Sequence, residues 1–215
     1  MNFDFFTLRS LKQLNDEKRL ELLEQVSNID GEFDKIAFIV EKFLSEYKFD
    51  YSVLKSPIEF NDRRQYMMPF EYKGRTFFCS TTRPLDTEEK YRLPMTPSLH
   101  SLKMGTCFSF STELEWFAKE FGINNEKINE VVTCYDGYQT VKPENEIRRM
   151  LHYYMIMNLD GKDYKIDVAG ALMAMDYKKK YPQVDISASD FVFVEPNREN
   201  PFDKLLNKEE EKEEV

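Results

Sequence analysis

The sequence predicts an α+β fold, with helices near the N-terminus and antiparallel strands in the second half of the chain. Apolar residues near the N-terminus recur every three or four positions, as on one face of a helix; they are Phe33, Ile36, Ala37, Val40, Phe43, Leu44 and Tyr47. Further along, the aromatic and apolar stretch Leu151 to Leu159 and a strand of alternating polarity, Lys162 to Val168, flank Asp160-Gly161, a dipeptide typical of tight hairpin turns. With 215 residues, 41% of them apolar, the chain can bury one sizeable core, and we expect one domain with additions.

Other elements are predicted between these regions. A weaker helical face is formed by Leu20, Leu23 and Val26. Met67 to Tyr72 and Arg75 to Ser80 are strand-like stretches on either side of Lys73-Gly74, which predicts another hairpin. Residues 81–99 are rich in Thr, Pro and charge, so we expect a loop that borders a cleft.

A helix that begins near Cys107 is the first candidate for chemistry. Its apolar residues have helical spacing and end at Gly122, which can close a helix; they are Phe110, Leu114, Phe117, Ala118 and Phe121. The partial positive charge of a helix N-terminus favours the thiolate form of a cysteine there. Thr112 and Glu115 form a capping-box pattern that could instead start the helix later and leave Cys107 in a loop. A packing role for Cys107 is the other alternative, because cysteine is often buried.

The hairpin at Asp160-Gly161 carries a histidine and an aspartate. With a two-residue loop, Leu159 pairs with Lys162, and counting back places Tyr154 opposite Asp167. His152 then lies on the same face as Asp167, on the diagonal, where backbones are about 7–8 Å apart. A three-residue loop would put the two side chains on opposite faces.

Each of these residues also has a purely structural interpretation. His152 could be a strand histidine at the edge of the core, and Asp167 a strand-end carboxylate that accepts hydrogen bonds from the next loop. Taken in this order together with Cys107, however, they predict a Cys-His-Asp catalytic triad.

These residues resemble the transglutaminase-like superfamily, whose members share a papain-like Cys-His-Asp core. The resemblance rests on Gly105-Thr106-Cys107, on His152, and on the segment Asp-Gly-Lys-Asp-Tyr-Lys-Ile-Asp-Val in which Asp167 stands. The His-to-Asp segment is also similar to that of arylamine N-acetyltransferases. The resemblance to the transglutaminase-like superfamily implies a papain-like or transglutaminase-like core, in which the Cys helix packs on an antiparallel sheet. An N-terminal helical extension precedes this core.

The resemblance covers roughly residues 98–170, and two positions depart from it. Lys103-Met104-Gly105 stands where an acetyltransferase has Arg-Gly-Gly, and Val168-Ala169-Gly170-Ala171 stands where a transglutaminase usually has a proline. The resemblance therefore assigns the triad to Cys107, His152 and Asp167. The two departures argue against the specific arylamine acetyltransferase activity.

The expected organisation has three parts. Residues 1–60 form a helical N-terminal extension, residues 61–200 the catalytic core, and residues 201–215 an acidic tail. Within the core, residues 129–135 and Phe191-Val192-Phe193-Val194 predict two further strands.

Composition excludes several classes of partner. A net charge of −9 argues against nucleic acid and anionic membranes, since both bind cationic surfaces. There is no apolar run of about eighteen residues and no signal peptide at the N-terminus, so we expect a cytoplasmic protein. Cys79 and Cys134 lie in strand-like segments and are assigned packing roles.

No cofactor or metal is predicted. His100 and His152 are the two histidines, and neither His-x-x-x-His nor Cys-x-x-Cys spacing occurs. A phosphate-binding Gly-rich loop is also lacking in the sequence.

The predicted chemistry is therefore thiol acyl transfer. Cys107 would attack a carbonyl, and its backbone N–H would hold the oxyanion with an upstream donor, for which Asn61, Gln65 and Thr82 are candidates. Hydrolysis of a peptide or protein substrate is favoured. Acids expected near the site, Asp160 and Asp163, disfavour a polyanionic donor such as coenzyme A.

Two alternatives stay open, and the oligomeric state is not predicted. One is acyl transfer to an amine, as in transglutaminases or N-acetyltransferases. The other is a catalytically inactive interaction module with the same fold, which the long helical N-terminus and the acidic tail would suit.

Overall fold

The computed structural model describes the backbone of residues 5–50, 58–60, 63–65, 67–72, 75–80, 99–134 and 148–202. Side chains are described for residues 14–50, 99–100, 103–130 and 152–202. The helices in these ranges are α1 (Phe5–Ser27), α2 (Glu32–Glu46), α3 (Leu99–Leu102), α4 (Cys107–Glu120) and α5 (Val168–Lys180). The strands are β1 (Lys48–Phe49), β2 (Ile58–Phe60), β3 (Arg63–Gln65), β4 (Met67–Tyr72), β5 (Arg75–Ser80), β6 (Met104–Gly105), β7 (Asn125–Cys134), β8 (Arg148–Leu159), β9 (Lys162–Ile166) and β10 (Val192–Val194).

The fold is α+β, as predicted. Its main sheet is antiparallel and has the strand order β10-β9-β8-β7. Strands β1 and β6 form a short parallel pair, while β2 with β3 and β4 with β5 form hairpins. The second of these is the hairpin predicted around Lys73-Gly74, with Tyr72 paired to Arg75.

The turn between β8 and β9 sets the register of the site. Leu159 pairs with Lys162, so the predicted two-residue loop is confirmed. Asp160 and Gly161 both have positive φ angles, 51° and 85°, as a two-residue turn of this kind requires. Met155 pairs with Ile166, which puts the end of β9 beside the middle of β8.

The sequence analysis did not predict α5. We expected the strand after the turn to reach Val168, but β9 ends at Ile166 and Asp167 is the N-cap of a helix. An aspartate before a run of Ala, Leu and Met, with three lysines in the last turn, is a typical helix signal. The prediction gave more weight to the alternating pattern before Asp167.

One core joins the N-terminal helices to α4 and the sheet. Buried side chains from α1, α2, α4, β8, β9 and α5 belong to one cluster; they include Val26, Ile36, Phe43, Phe117, Met157, Ile166 and Leu172. The predicted face of α2 and, from α1, Leu23 and Val26 therefore share this core with α4, whereas Leu20, predicted on the same face of α1, is 57% exposed.

Several expectations fall outside the described residues. These are the loop at residues 81–98 and the tail at residues 203–215. Leu99, expected to end that loop, begins α3. Among the described helices, none combines the length and apolar character that crossing a bilayer requires.

Candidate functional site

Cys107 is the first residue of α4. Thr106 is the N-cap, and its hydroxyl oxygen accepts a hydrogen bond from the Ser109 backbone N–H at 3.3 Å. Of the two predicted helix starts, the earlier is confirmed, and Thr112 lies inside the helix. The helix ends before Gly122, which has the expected positive φ of 69°. The Cys107 side chain is partly exposed, so it lies at the boundary between core and solvent.

Gly105 permits the close packing in front of this helix start. A Cβ atom at position 105 would lie 2.5 Å from Leu99 Cδ1 and 3.1 Å from Ser109 Cβ. The first contact is shorter than carbon atoms allow and the second is tight, so a larger residue here would require the Leu99 side chain and Ser109 to give way. The glycine in Gly105-Thr106-Cys107 thus has a steric reason.

His152 and Asp167 are in direct contact. The imidazole Nε2–H donates to Asp167 Oδ2 at 2.6 Å. The two side chains are 14% and 6% exposed, so this charged pair is largely shielded from water while the histidine keeps some access. The hairpin register ends with Met155 paired to Ile166, which brings the chain at Asp167 next to the part of β8 that carries His152.

Two hydrogen bonds besides the one from His152 hold Asp167 in place, and the first of them caps α5. Its Oδ1 accepts from the Gly170 backbone N–H at 2.8 Å, and its backbone N–H donates to the Phe191 carbonyl at 2.9 Å. A Cβ atom at position 170 would lie 2.6 Å from Asp167 Oδ2. Gly170, one of the residues that depart from the family pattern, therefore leaves room for the carboxylate that contacts His152.

The His152 ring also bonds to the Cys107 sulfur. Burial disfavours the charged ring, but the Asp167 carboxylate and the Cys107 sulfur outweigh burial, and the pKa of His152 is well above its usual value. Since Nε2 serves Asp167, Nδ1 is the nitrogen that remains to face the sulfur. The structure thus brings together the three residues that the sequence singled out, where α4, β8 and α5 meet.

A second histidine pair was not predicted. His100 Nε2 donates to Glu113 Oε1 at 2.7 Å, and the two side chains are 1% and 0% exposed. Arg19 donates to both Glu113 oxygens, at 2.5 and 2.6 Å, and the Tyr47 hydroxyl donates to His100 Nδ1 at 2.8 Å. Glu113 lies on the same helical face as Phe110 and Phe117, and a carboxylate within an apolar stripe was the available signal.

Asp160 and Asp163 do not lie near the site, contrary to expectation. Asp160 accepts hydrogen bonds from the backbone N–H groups of Glu32 and Phe33 at the start of α2, each at 3.2 Å. Asp163 is four positions before Asp167 in an extended strand, which separates them by about 13 Å. Repulsion by these two carboxylates therefore no longer argues against coenzyme A as the acyl donor.

The remaining candidates lie in less fully described parts of the chain. The structure gives the backbone of Gln65, Cys79 and Cys134, all in strands, and leaves Asn61 and Thr82 outside the described residues. Within the described ranges, no group of three His, Cys, Asp or Glu residues could hold a metal ion.

Comparison with known proteins gives a weak structural likeness. No family model and no curated protein matches the chain. A solved structure described as "Crystal structure of a TGase" is similar over 79% of this chain and 34% of its own, at 13% sequence identity and a TM-score of 0.41. The chain thus spans about a third of the length of that structure, and the likeness concerns the fold alone.

Proposed function

We propose that this chain is a transglutaminase-like cysteine enzyme that hydrolyses an amide bond, as a peptidase or a deamidase. The observation that carries the proposal is the His152 imidazole, which contacts the Asp167 carboxylate on one side and the Cys107 sulfur on the other. Cys107 also begins α4, where the helix dipole favours a thiolate. A nucleophile, a base and an orienting carboxylate in contact are what thiol acyl transfer requires.

The reaction has two steps. The Cys107 thiolate attacks the amide carbonyl carbon, and the His152 imidazolium gives its Nδ1 proton to the departing amine, which leaves a thioester on the sulfur. Water then attacks the thioester while His152 takes a proton from it, and the acid product departs. The raised pKa of His152 supports this role because it keeps the ring charged beside the thiolate near neutral pH.

Asp167 acts through the histidine. Its Oδ2 accepts the Nε2 proton, which fixes the tautomer with Nδ1 towards the sulfur and stabilises the charged ring. The hydrogen bonds from Gly170 and to Phe191 hold Asp167 in place without help from a substrate.

The oxyanion of the tetrahedral intermediate lies at the start of α4 in this scheme. The backbone N–H of Cys107 is one donor, assisted by the positive end of the helix dipole. A second donor comes from upstream in the chain, where Asn61, Gln65 and Thr82 stay candidates.

Hydrolysis is favoured over transfer because water needs no binding site of its own. The sequence holds no cofactor-binding pattern, and a net charge of −9 repels polyanionic acyl donors in general. A peptide or protein amide is the proposed substrate, and a reactive thiol fits the reducing cytoplasm.

Incubation with peptides, some containing glutamine, with and without a primary amine, distinguishes the reactions by mass spectrometry. Peptide cleavage or the small mass gain of deamidation supports the proposal, provided Cys107→Ser abolishes it. A dominant amine adduct would contradict hydrolysis and favour transglutaminase chemistry. Acetyl transfer from acetyl-coenzyme A to an arylamine would favour arylamine N-acetyltransferase chemistry. If neither a reaction nor a reactive Cys107 is found, the chain is an interaction module.

A further inference from the structure

A nearly buried lysine lies beside the proposed triad. Lys165 is 8% exposed and pairs with Ile156 across the β8–β9 hairpin, which puts its side chain on the face of the sheet that also carries Tyr154 and His152 of β8. It lies two positions before Asp167 along an extended segment, or about 7 Å away.

The ammonium of Lys165 rests on an aromatic ring. Its Nζ is 4.1 Å from the ring centroid of Tyr154, which is itself 8% exposed. The Tyr154 ring in turn lies beside His152, with centroids 6.2 Å apart. The cation–π contact therefore continues directly from the proposed active site.

Three of the neighbouring carboxylates have other partners, while a fourth, Glu126, is exposed and lies opposite Ile156 across β7 and β8. Asp167 accepts from His152 and Gly170, and Asp163 accepts from Asn158 at 2.7 Å. Glu130, which pairs with His152 across β7 and β8, accepts from the Tyr154 hydroxyl at 3.4 Å.

Among the described residues, no oxygen atom accepts a hydrogen bond from Lys165 Nζ. An ammonium group has three N–H donors, and a ring face satisfies one direction alone. Among the described residues, no buried side-chain nitrogen lacks a hydrogen-bond partner, so solvent reaches the Lys165 ammonium, and a ligand oxygen can replace water there beside the Tyr154 ring. Ile128 and Ile156, next to this ring on the same face, are partly exposed and leave a route for a ligand.

We propose that Lys165 and the Tyr154 ring form a subsite for a carboxylate of the acyl substrate, one or two residues from the bond that Cys107 attacks. This inference rests on the proposed function and adds a substrate class to it, namely peptides with an acidic side chain or a terminal carboxylate next to the reacting amide. The carboxylate accepts from the Lys165 ammonium, while its flank packs on the isoleucines.

Tyr154 keeps its proton over the working range and so does not compete with the carboxylate as an anion. Burial and the nearby Glu130 carboxylate raise the pKa of Tyr154 to about 12. The neutral ring continues to hold the ammonium, and the hydroxyl continues to donate to Glu130.

Charged and neutral maleimides test this subsite through the rate at which they alkylate Cys107. Maleimidopropionic and maleimidohexanoic acids are compared with their primary amides on the full chain at about pH 8, where ordinary thiols also react. The acid-to-amide rate ratio at Cys107, divided by the same ratio for glutathione, should be about ten for the better-fitting length. Peptide mapping assigns the rates to Cys107.

Lys165→Met keeps the length of the side chain and should lower the acid-to-amide rate ratio at Cys107 to that of glutathione. Lys165→Arg keeps the charge and should retain the wild-type ratio. Lys162→Met is the matched control, because Lys162 is exposed and lies over the Tyr164 ring at 5.0 Å. An unchanged ratio in Lys165→Met, or a wild-type ratio equal to that of glutathione, overturns the subsite. Slow alkylation of Cys107 by the amides instead counts against the proposed function and leaves the ratio readable.

Discussion

The protein contains two histidine–carboxylate pairs with nearly the same contact distance and different surroundings. His152 and Asp167 meet at 2.6 Å, with part of the ring exposed and Cys107 as the third partner. His100 and Glu113 meet at 2.7 Å in the core, with Arg19 as the third partner. A short contact between a histidine and a carboxylate thus does not identify a reactive site, whereas the third partner and the exposure of the ring separate the two.

The partners shift the pKa of a different group in each pair. At the first pair, burial opposes the charged ring, but Asp167 and then Cys107 outweigh burial and raise the pKa of His152. At the second, burial opposes ionisation of Glu113, but hydrogen bonds from His100 and Arg19 outweigh it and lower the pKa of Glu113. Because Arg19 stays positively charged, the second pair is a neutralised link between α1, α3 and α4.

Asp167→Asn gives the largest expected effect on activity. Asn keeps the shape and can still cap α5, but it loses the charge that stabilises the imidazolium, so kcat should fall by about 10³-fold or more. The thermal midpoint should change little. Activity is measured with whichever substrate the mass-spectrometric assay identifies.

Glu113→Gln is the matched variant at the other pair, and its kcat should stay within a few-fold of the wild type. Full activity of Asp167→Asn, or an equal loss in both variants, would remove the distinction between the pairs.

Glu113→Gln should instead reduce the free energy of unfolding, by about 3 kcal/mol, because it leaves Arg19 without its charged partner in the core. Urea denaturation measures this change. Glu115→Gln, on the same helix, is the control: Glu115 is 24% exposed and pairs with Lys119 and Lys127, so its loss should be below about 1 kcal/mol. Similar losses in the two variants would contradict a special role for the buried pair.

The contribution of Glu113 to stability should depend on pH in one direction. Its pKa in the folded protein is below the usual 4.5, so its contribution is fully present above that pH and is lost as the pH falls below it. The stability difference between the wild type and Glu113→Gln should be constant from neutral pH down to about pH 5 and then shrink. A difference that grows in acid would mean that the carboxyl is protonated in the core.

Asp167→Ala should also reduce the free energy of unfolding slightly, which Asp167→Asn should not do. Alanine cannot accept from the Gly170 N–H, so the N-cap of α5 is lost and the free energy of unfolding falls by about 1 kcal/mol more than in Asp167→Asn. Urea denaturation of the two variants gives the difference. If the two are equally stable, the cap contributes nothing and Asp167 serves His152 alone.

The first pair could be predicted from the sequence because its geometry is local. Asp160-Gly161 fixes a two-residue turn, and the resulting register brings the end of β9, just before Asp167, next to the part of β8 that carries His152. The helix start at Cys107 was one of two predicted starts, the other being the capping pattern at Thr112, and the Thr106 cap decides for Cys107.

The second pair could not be predicted because His100, Glu113 and the two side chains that contact them come from four separate parts of the chain. Arg19, Tyr47, His100 and Glu113 meet through the packing of α1, α2, α3 and α4, and no turn or periodicity sets their distances. The same holds for Lys165. Its place in the alternating pattern of β9 can be seen in the sequence, but its contact with Tyr154 cannot be predicted from it.

The most direct test of the account is the pH profile of iodoacetamide alkylation at each cysteine. With His152 charged beside it, Cys107 should react at about pH 5.5 nearly as fast as at neutral pH and ahead of Cys79 and Cys134, whereas an ordinary thiol loses reactivity below about pH 8.5. His152→Ala should restore the ordinary profile, and Glu113→Gln should leave the fast one intact. Absent or equal labelling of Cys107 in the folded protein, or an unchanged profile in His152→Ala, would contradict the account.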